Sequence, residues 1–263
     1  MALAMLLASA GPAQAASKSA YQHYLKALLH TNQGQYAEAM KEYEAALDLD
    51  PQSATMYQQA AQLALEMGDA SRALTLARRF AELSPENPEA HLLLGQVLWA
   101  KGEAEASRAA FEKALALMPG YSEALFALGN LLGAHSPEDA KKYLESYVKE
   151  NPDDASEALY QIAMLESRAG RDPQAEERLK ASVSADPDHM QARHALAQLY
   201  EARRDTEAAL AAYQGILERD PRNIMLLNHI GEIFVLKDEG AKAKEIFARA
   251  KDIAPSHPAP CLW

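Results

Sequence analysis

The chain has 263 residues, 49% of them hydrophobic and only 7% aromatic, with a formal net charge of −11. That apolar share is ample for burial, and the acidic surplus disfavours nucleic acid, whose phosphates call for clustered Lys and Arg. Cys261 is the single cysteine, which excludes an intramolecular disulfide and suits either redox compartment.

Residues 1–15, MALAMLLASAGPAQA, stand apart from the rest of the chain. Ala2 to Ala10 form a short apolar run, Gly11 and Pro12 break it, and Ala13-Gln14-Ala15 fits the small-x-small cleavage rule. The segment resembles a secretory signal peptide, although its first cation, Lys18, comes after the run. The run is too short to span a bilayer as a permanent helix. The expectation is a periplasmic or secreted protein, with a cytoplasmic one as the alternative.

Beyond it one punctuation mark recurs. Prolines stand at Pro51, Pro85, Pro119, Pro152, Pro187, Pro221 and Pro255, spaced by 34, 34, 33, 35, 34 and 34 residues. The stretch from Ala90 to Pro119 shows what each interval contains. Leu94, Gly95, Val97 and Leu98 share one side of a helix, as do Ala110, Phe111, Ala114 and Leu117 of a second. Gly102 suits the end of the first helix, and Pro119 ends the second for want of an N–H. Neither helix can bury its stripe alone, so each pair needs neighbours.

Position by position the repeats agree. The eighth place is small throughout: Ala27, Ala61, Gly95, Gly129, Ala163, Ala197, Gly231. So is the twentieth: Ala39, Ala73, Ser107, Ala140, Ala175, Ala209, Ala243. Small residues let two helix backbones approach closely. The tenth place is apolar in every repeat (Leu29, Leu63, Val97, Leu131, Leu165, Leu199, Ile233) and marks the buried side of the first helix. Large and small residues also trade places one turn apart, as Tyr43 with Ala46, Phe111 with Ala114 and Phe247 with Ala250, but Ala77 with Phe80.

A period near 34 residues with two helices per interval resembles the tetratricopeptide repeat family over residues 16–255. The resemblance implies an all-α fold, a right-handed α-solenoid of helix-turn-helix repeats at about 20–53, 54–87, 88–121, 122–154, 155–189, 190–223 and 224–257. Residues 258–263 read as the start of a truncated eighth repeat. Lys26 and His30 stand where later repeats carry Leu94 and Leu98, as an open first repeat requires. Ile246, Phe247 and Ile253 keep the internal pattern, so the carboxyl end is expected to be uncapped and able to self-associate.

Two local departures carry expectations. The turn in LLGAHSPEDAKKY loses a residue and NPDDASEALY regains it. Ser136 with Asp139, and Asp154 with Glu157, read as helix starts there. Glu166 interrupts the apolar pattern at the eleventh place of the fifth repeat and is expected to face water.

No phosphate-binding loop, nucleophile elbow or zinc-protease motif is present. The eight histidines form no i, i+4 pair, and Asp186, Asp188 and His189 read as an inter-repeat turn. No cofactor, metal or catalysis is expected. The family resemblance instead implies a concave groove lined by the second, fifth, ninth and twelfth places of each first helix. Those places give Gln58, Gln62, Leu65, Leu92, Gln96, Trp99, Phe126, Asn130, Tyr160, His194, Gln198 and Asn228, together with Glu232. Aromatic faces among amides suit a protein or peptide segment. The Lys/Asn/Arg clamp by which some members hold a terminal carboxylate is missing, so chaperone tails are not expected there. The leading expectation is a non-catalytic scaffold in bacterial envelope or secretion machinery. The alternatives are the recognition arm of a larger enzyme such as a glycosyltransferase, and a self-assembling repeat.

Overall fold

The computed structural model describes residues 12–253, with side chains from Lys18 onward. The described residues hold fourteen α helices and no strand. In chain order they are α1 (Pro12–Asn32), α2 (Tyr36–Leu49), α3 (Ala54–Glu66), α4 (Ala70–Leu83), α5 (Pro88–Ala100), α6 (Ala104–Leu117) and α7 (Ser122–Leu132). Then come α8 (Pro137–Glu150), α9 (Ser156–Arg168), α10 (Asp172–Ala185), α11 (Met190–Ala202), α12 (Thr206–Leu217), α13 (Ile224–Leu236) and α14 (Gly240–Ile253). None is long and apolar enough to cross a membrane. Most of the signal-like segment, the start of an eighth repeat and Cys261 lie outside the described residues.

The chain divides into two compact units between Ser136 and Pro137. In the first, α1 pairs with α2, α3 with α4 and α5 with α6, and α7 closes the unit against α6 and α5. In the second, α8 packs on α9, and hairpins form from α9 and α10, α11 and α12, α13 and α14. The fold class is the expected one, helical hairpins stacked in sequence.

The small residues account for the close pairing. All seven at the eighth place and all seven at the twentieth are buried. A β-carbon on Gly95 would stand 2.5 Å from the Phe111 ring, and one on Gly231 would stand 2.5 Å from Phe247. Ser107 adds a tie, its Oγ donating to the Gly95 carbonyl at 2.8 Å. Phe111 is wholly buried, and burial of such a ring contributes about 1.5–3 kcal/mol.

Turns recur as well. Gly34, Gly68, Gly102 and Gly170 end first helices at positive φ, the left-handed conformation that suits glycine. Arg204 and Asp238 adopt φ 60° at the equivalent point of the sixth and seventh repeats. Side chains cap several starts: Asp69 accepts from the Arg72 amide, Asp205 from Ala208 and Asn223 from Leu226.

Three expectations need correction. Glu166 does not face water; it is 1% exposed, because Lys141 of α8 reaches it at 2.5 Å and Arg171 bonds it from the turn after α9. Leu29, at the apolar tenth place, is 54% exposed, since among the described residues no hairpin precedes α1 to cover it. Asp154 does not start α9: it ends a 3-10 turn at Pro152–Asp154, and α9 opens after Ala155 without a side-chain cap. Ser136 does precede α8 directly, as expected.

Candidate functional site

In the N-terminal unit the groove places fall on α3, α5 and α7. Gln58 Nε2 donates to Glu89 Oε1 at 2.6 Å, joining the fifth place of one repeat to the second place of the next. Gln62 accepts from Gln59, and Leu65 is half-buried. Gln96 is exposed and Trp99 is 41% exposed, an apolar surface large enough to meet a partner. Phe126 and Asn130 of α7 are half-buried. Leu92 departs from the expectation. It is buried, because α3 and α7 flank α5 on both sides, and it offers nothing to a ligand.

In the C-terminal unit the same rule gathers residues around a hollow of about 720 Å³. His194, Gln198 and Glu201 come from α11, at the fifth, ninth and twelfth places. Met225, Asn228 and Glu232 come from α13, at the second, fifth and ninth. Three expected residues therefore meet there: His194, Gln198 and Asn228. Tyr160 does not join them. Its ring packs 5.3 Å from that of His189, so it fills space between hairpins.

Three of the lining residues form a hydrogen-bonded triad. Tyr213 donates to Glu201 Oε2 at 2.5 Å, and His229 Nε2 meets the same oxygen at 3.1 Å. The Tyr213 and His229 rings meet edge to face, 5.2 Å between centroids. Burial, then the bond to a carboxylate, push the Tyr213 hydroxyl far up, so it stays a donor. Asn228 lines the same hollow, and its Oδ1 is buried with no hydrogen-bond partner among the described residues. An unpaired buried acceptor costs about 1–3 kcal/mol until a donor reaches it. Met225 is 81% exposed at the rim.

Sequence reasoning missed Glu201, Tyr213 and His229 as site residues. Glu201 was recoverable, since it occupies a twelfth place. Tyr213 lies at a place that faces the core elsewhere, and His229 at a sixth place, which is buried at Leu93 and Ala127 but exposed at Leu25. His189, read as a turn residue, caps α11 by accepting from the Ala192 amide and bonds Glu157 through its other nitrogen at 2.9 Å. Among the described residues no group of three or more His, Cys, Asp or Glu is placed to hold a metal.

A second hollow, about 820 Å³, lies on the other side of α13, between α12 and α14. It gathers none of the expected residues, and its lysines are engaged already, Lys237 with Glu207 and Glu239 and Lys242 with Glu239.

Comparison with known proteins agrees with this architecture. One tetratricopeptide repeat profile matches residues 59–122, 160–224 and 194–258; two others match 27–68 and 123–154. No protein of curated function matches the chain. Among solved structures, YrrB, a tetratricopeptide protein with an unusual peptide-binding site, aligns with a TM-score of 0.58. Its identity is 22%, over 70% of this chain and 98% of that one. PilW, a widely conserved type IV pilus biogenesis factor, aligns at 0.63 with 20% identity, over 77% and 94%. The C-terminal part of a repeat protein from Cytophaga hutchinsonii aligns at 0.74 with 14% identity, over 89% and 96%. At such identities the likeness establishes the fold alone.

Proposed function

The chain belongs to the tetratricopeptide repeat family, and from that premise we propose that it is a non-catalytic scaffold gripping a partner protein's segment along its first helices. One observation carries the reading: the groove places of the sixth and seventh repeats surround a hollow of about 720 Å³ in which Asn228 Oδ1 lacks a partner among the described residues. An extended segment satisfies such an acceptor with a backbone N–H. In the N-terminal unit the exposed Trp99 supplies the kind of aromatic face that dominates interface energies.

The setting we infer is bacterial envelope or secretion assembly, in the periplasm or outside the cell. The signal-like residues 1–15 support this, and so does the shared fold with a pilus biogenesis factor. Two measurements test the reading. Trp99→Ala and Asn228→Ala should each weaken partner capture from the envelope fraction while the helical circular dichroism stays unchanged; undiminished capture by both rejects the groove. Sequencing of the exported protein should begin at Ala16; an intact Met1 in an envelope-free fraction rejects the setting.

A further inference from the structure

The hollow between α11 and α13 has a one-sided charge. Its ionisable lining is Glu201, Glu232, His194, His229 and the Tyr213 hydroxyl, with no Lys or Arg. Glu201 receives both of its internal bonds on Oε2, which leaves Oε1 for another donor. Glu232 is exposed and enters no ion pair among the described residues. Asn228 Oδ1, buried beside them, can only accept. The buried acceptor without a partner here, Asn228 Oδ1, therefore calls for an N–H donor, and the two carboxylates of the lining call for a cation.

We propose that this hollow selects a partner segment bearing an arginine or lysine side chain. The cation lies between Glu201 and Glu232, and a neighbouring N–H is donated to Asn228 Oδ1. Arginine suits the pair of carboxylates better than lysine, because its planar fork of five donors can serve both at once. The specificity is opposite in sign to a clamp for terminal carboxylates. The proposal rests on the groove reading and adds the chemical class of what the groove takes.

The test uses the full chain and three fluorescein-labelled dodecapeptides with one Ala/Leu/Ser frame and a central Arg, Gln or Glu. Fluorescence anisotropy should show the Arg peptide binding roughly tenfold more tightly than the Gln peptide, with the Glu peptide weakest. Glu232→Lys should invert that order, whereas Glu105→Lys, an exposed charge reversal in the other unit, should leave it alone. Equal binding of Arg and Gln peptides, both weakened by Asn228→Ala, overturns the charge preference and keeps the groove. An Arg preference lowered equally by both charge reversals marks bulk attraction to an acidic protein and overturns the site. Failure of all three peptides to bind, or binding indifferent to both Asn228→Ala and Glu232→Lys, removes the groove reading here together with the inference.

Discussion

Phe111 occupies the space into which a β-carbon on Gly95 would project, 2.5 Å from its ring. The two helices cannot simply part, because Ser107 bonds the Gly95 carbonyl and Phe111 is enclosed on every side. The first repeat carries Ala27 and Tyr43 at the same two places, so the restriction is set locally by this spacing. Gly95→Ala should destabilise the protein by about 1–3 kcal/mol, read from chemical denaturation. A loss below a few tenths would mean that the hairpin yields freely.

The left-handed turns make an opposite prediction. A residue with a β-carbon at φ 60° pays about 1–2 kcal/mol that glycine does not, less what glycine adds to the unfolded chain's entropy. Arg204→Gly, which supplies the residue four other hairpins use at that point, should raise stability by about 0.5 kcal/mol. A lower melting temperature would contradict the steric account.

Glu166 links acidity to stability. Burial alone would raise its pKa, but the bonds from Lys141 and Arg171 outweigh burial and hold it below the ordinary 4.5. A folded value depressed in this way contributes stability above the unfolded pKa and loses it as pH falls through the folded one. Glu166→Gln should therefore cost about 2 kcal/mol near neutrality, where it leaves two cations short of their anion. The gap between variant and wild type should close as the solution is acidified below the ordinary carboxylate range. A gap that persists in acid would show that packing, and not charge, holds Glu166.

Leu92 and Trp99 separate core from groove on one helix. Leu92→Ala should cost about 2–4 kcal/mol in stability through the cavity it leaves. Trp99→Ala, cut from a surface that is 41% exposed, should cost under about 1 kcal/mol and act on partner capture instead. The paired measurement is denaturation and capture on the same two proteins. An equal stability loss in both would place Trp99 in the core.

The repeat, its helices and its small residues were written in the chain, because a hairpin that must stack on its own copies needs the same gap at the same place each time. The small places at Gly95 and Gly231 and the large ones at Phe111 and Phe247 were legible from spacing, whereas their meeting face to face came from the structure. The groove places were implied by the family resemblance, and the pairing of α11 with α13 around one hollow brings His194, Gln198 and Asn228 together. Partners contributed by other helices were not legible. Glu166 reads as a solvated interruption until Lys141 of α8 is brought against it, and Leu92 reads as groove until α3 and α7 cover it. His229 and Tyr213 acquire a polar role only when Glu201 reaches both. Periodicity along one helix sets which face turns inward, whereas burial and charge at a given side chain depend on neighbours distant in the chain, and only stacking supplies those.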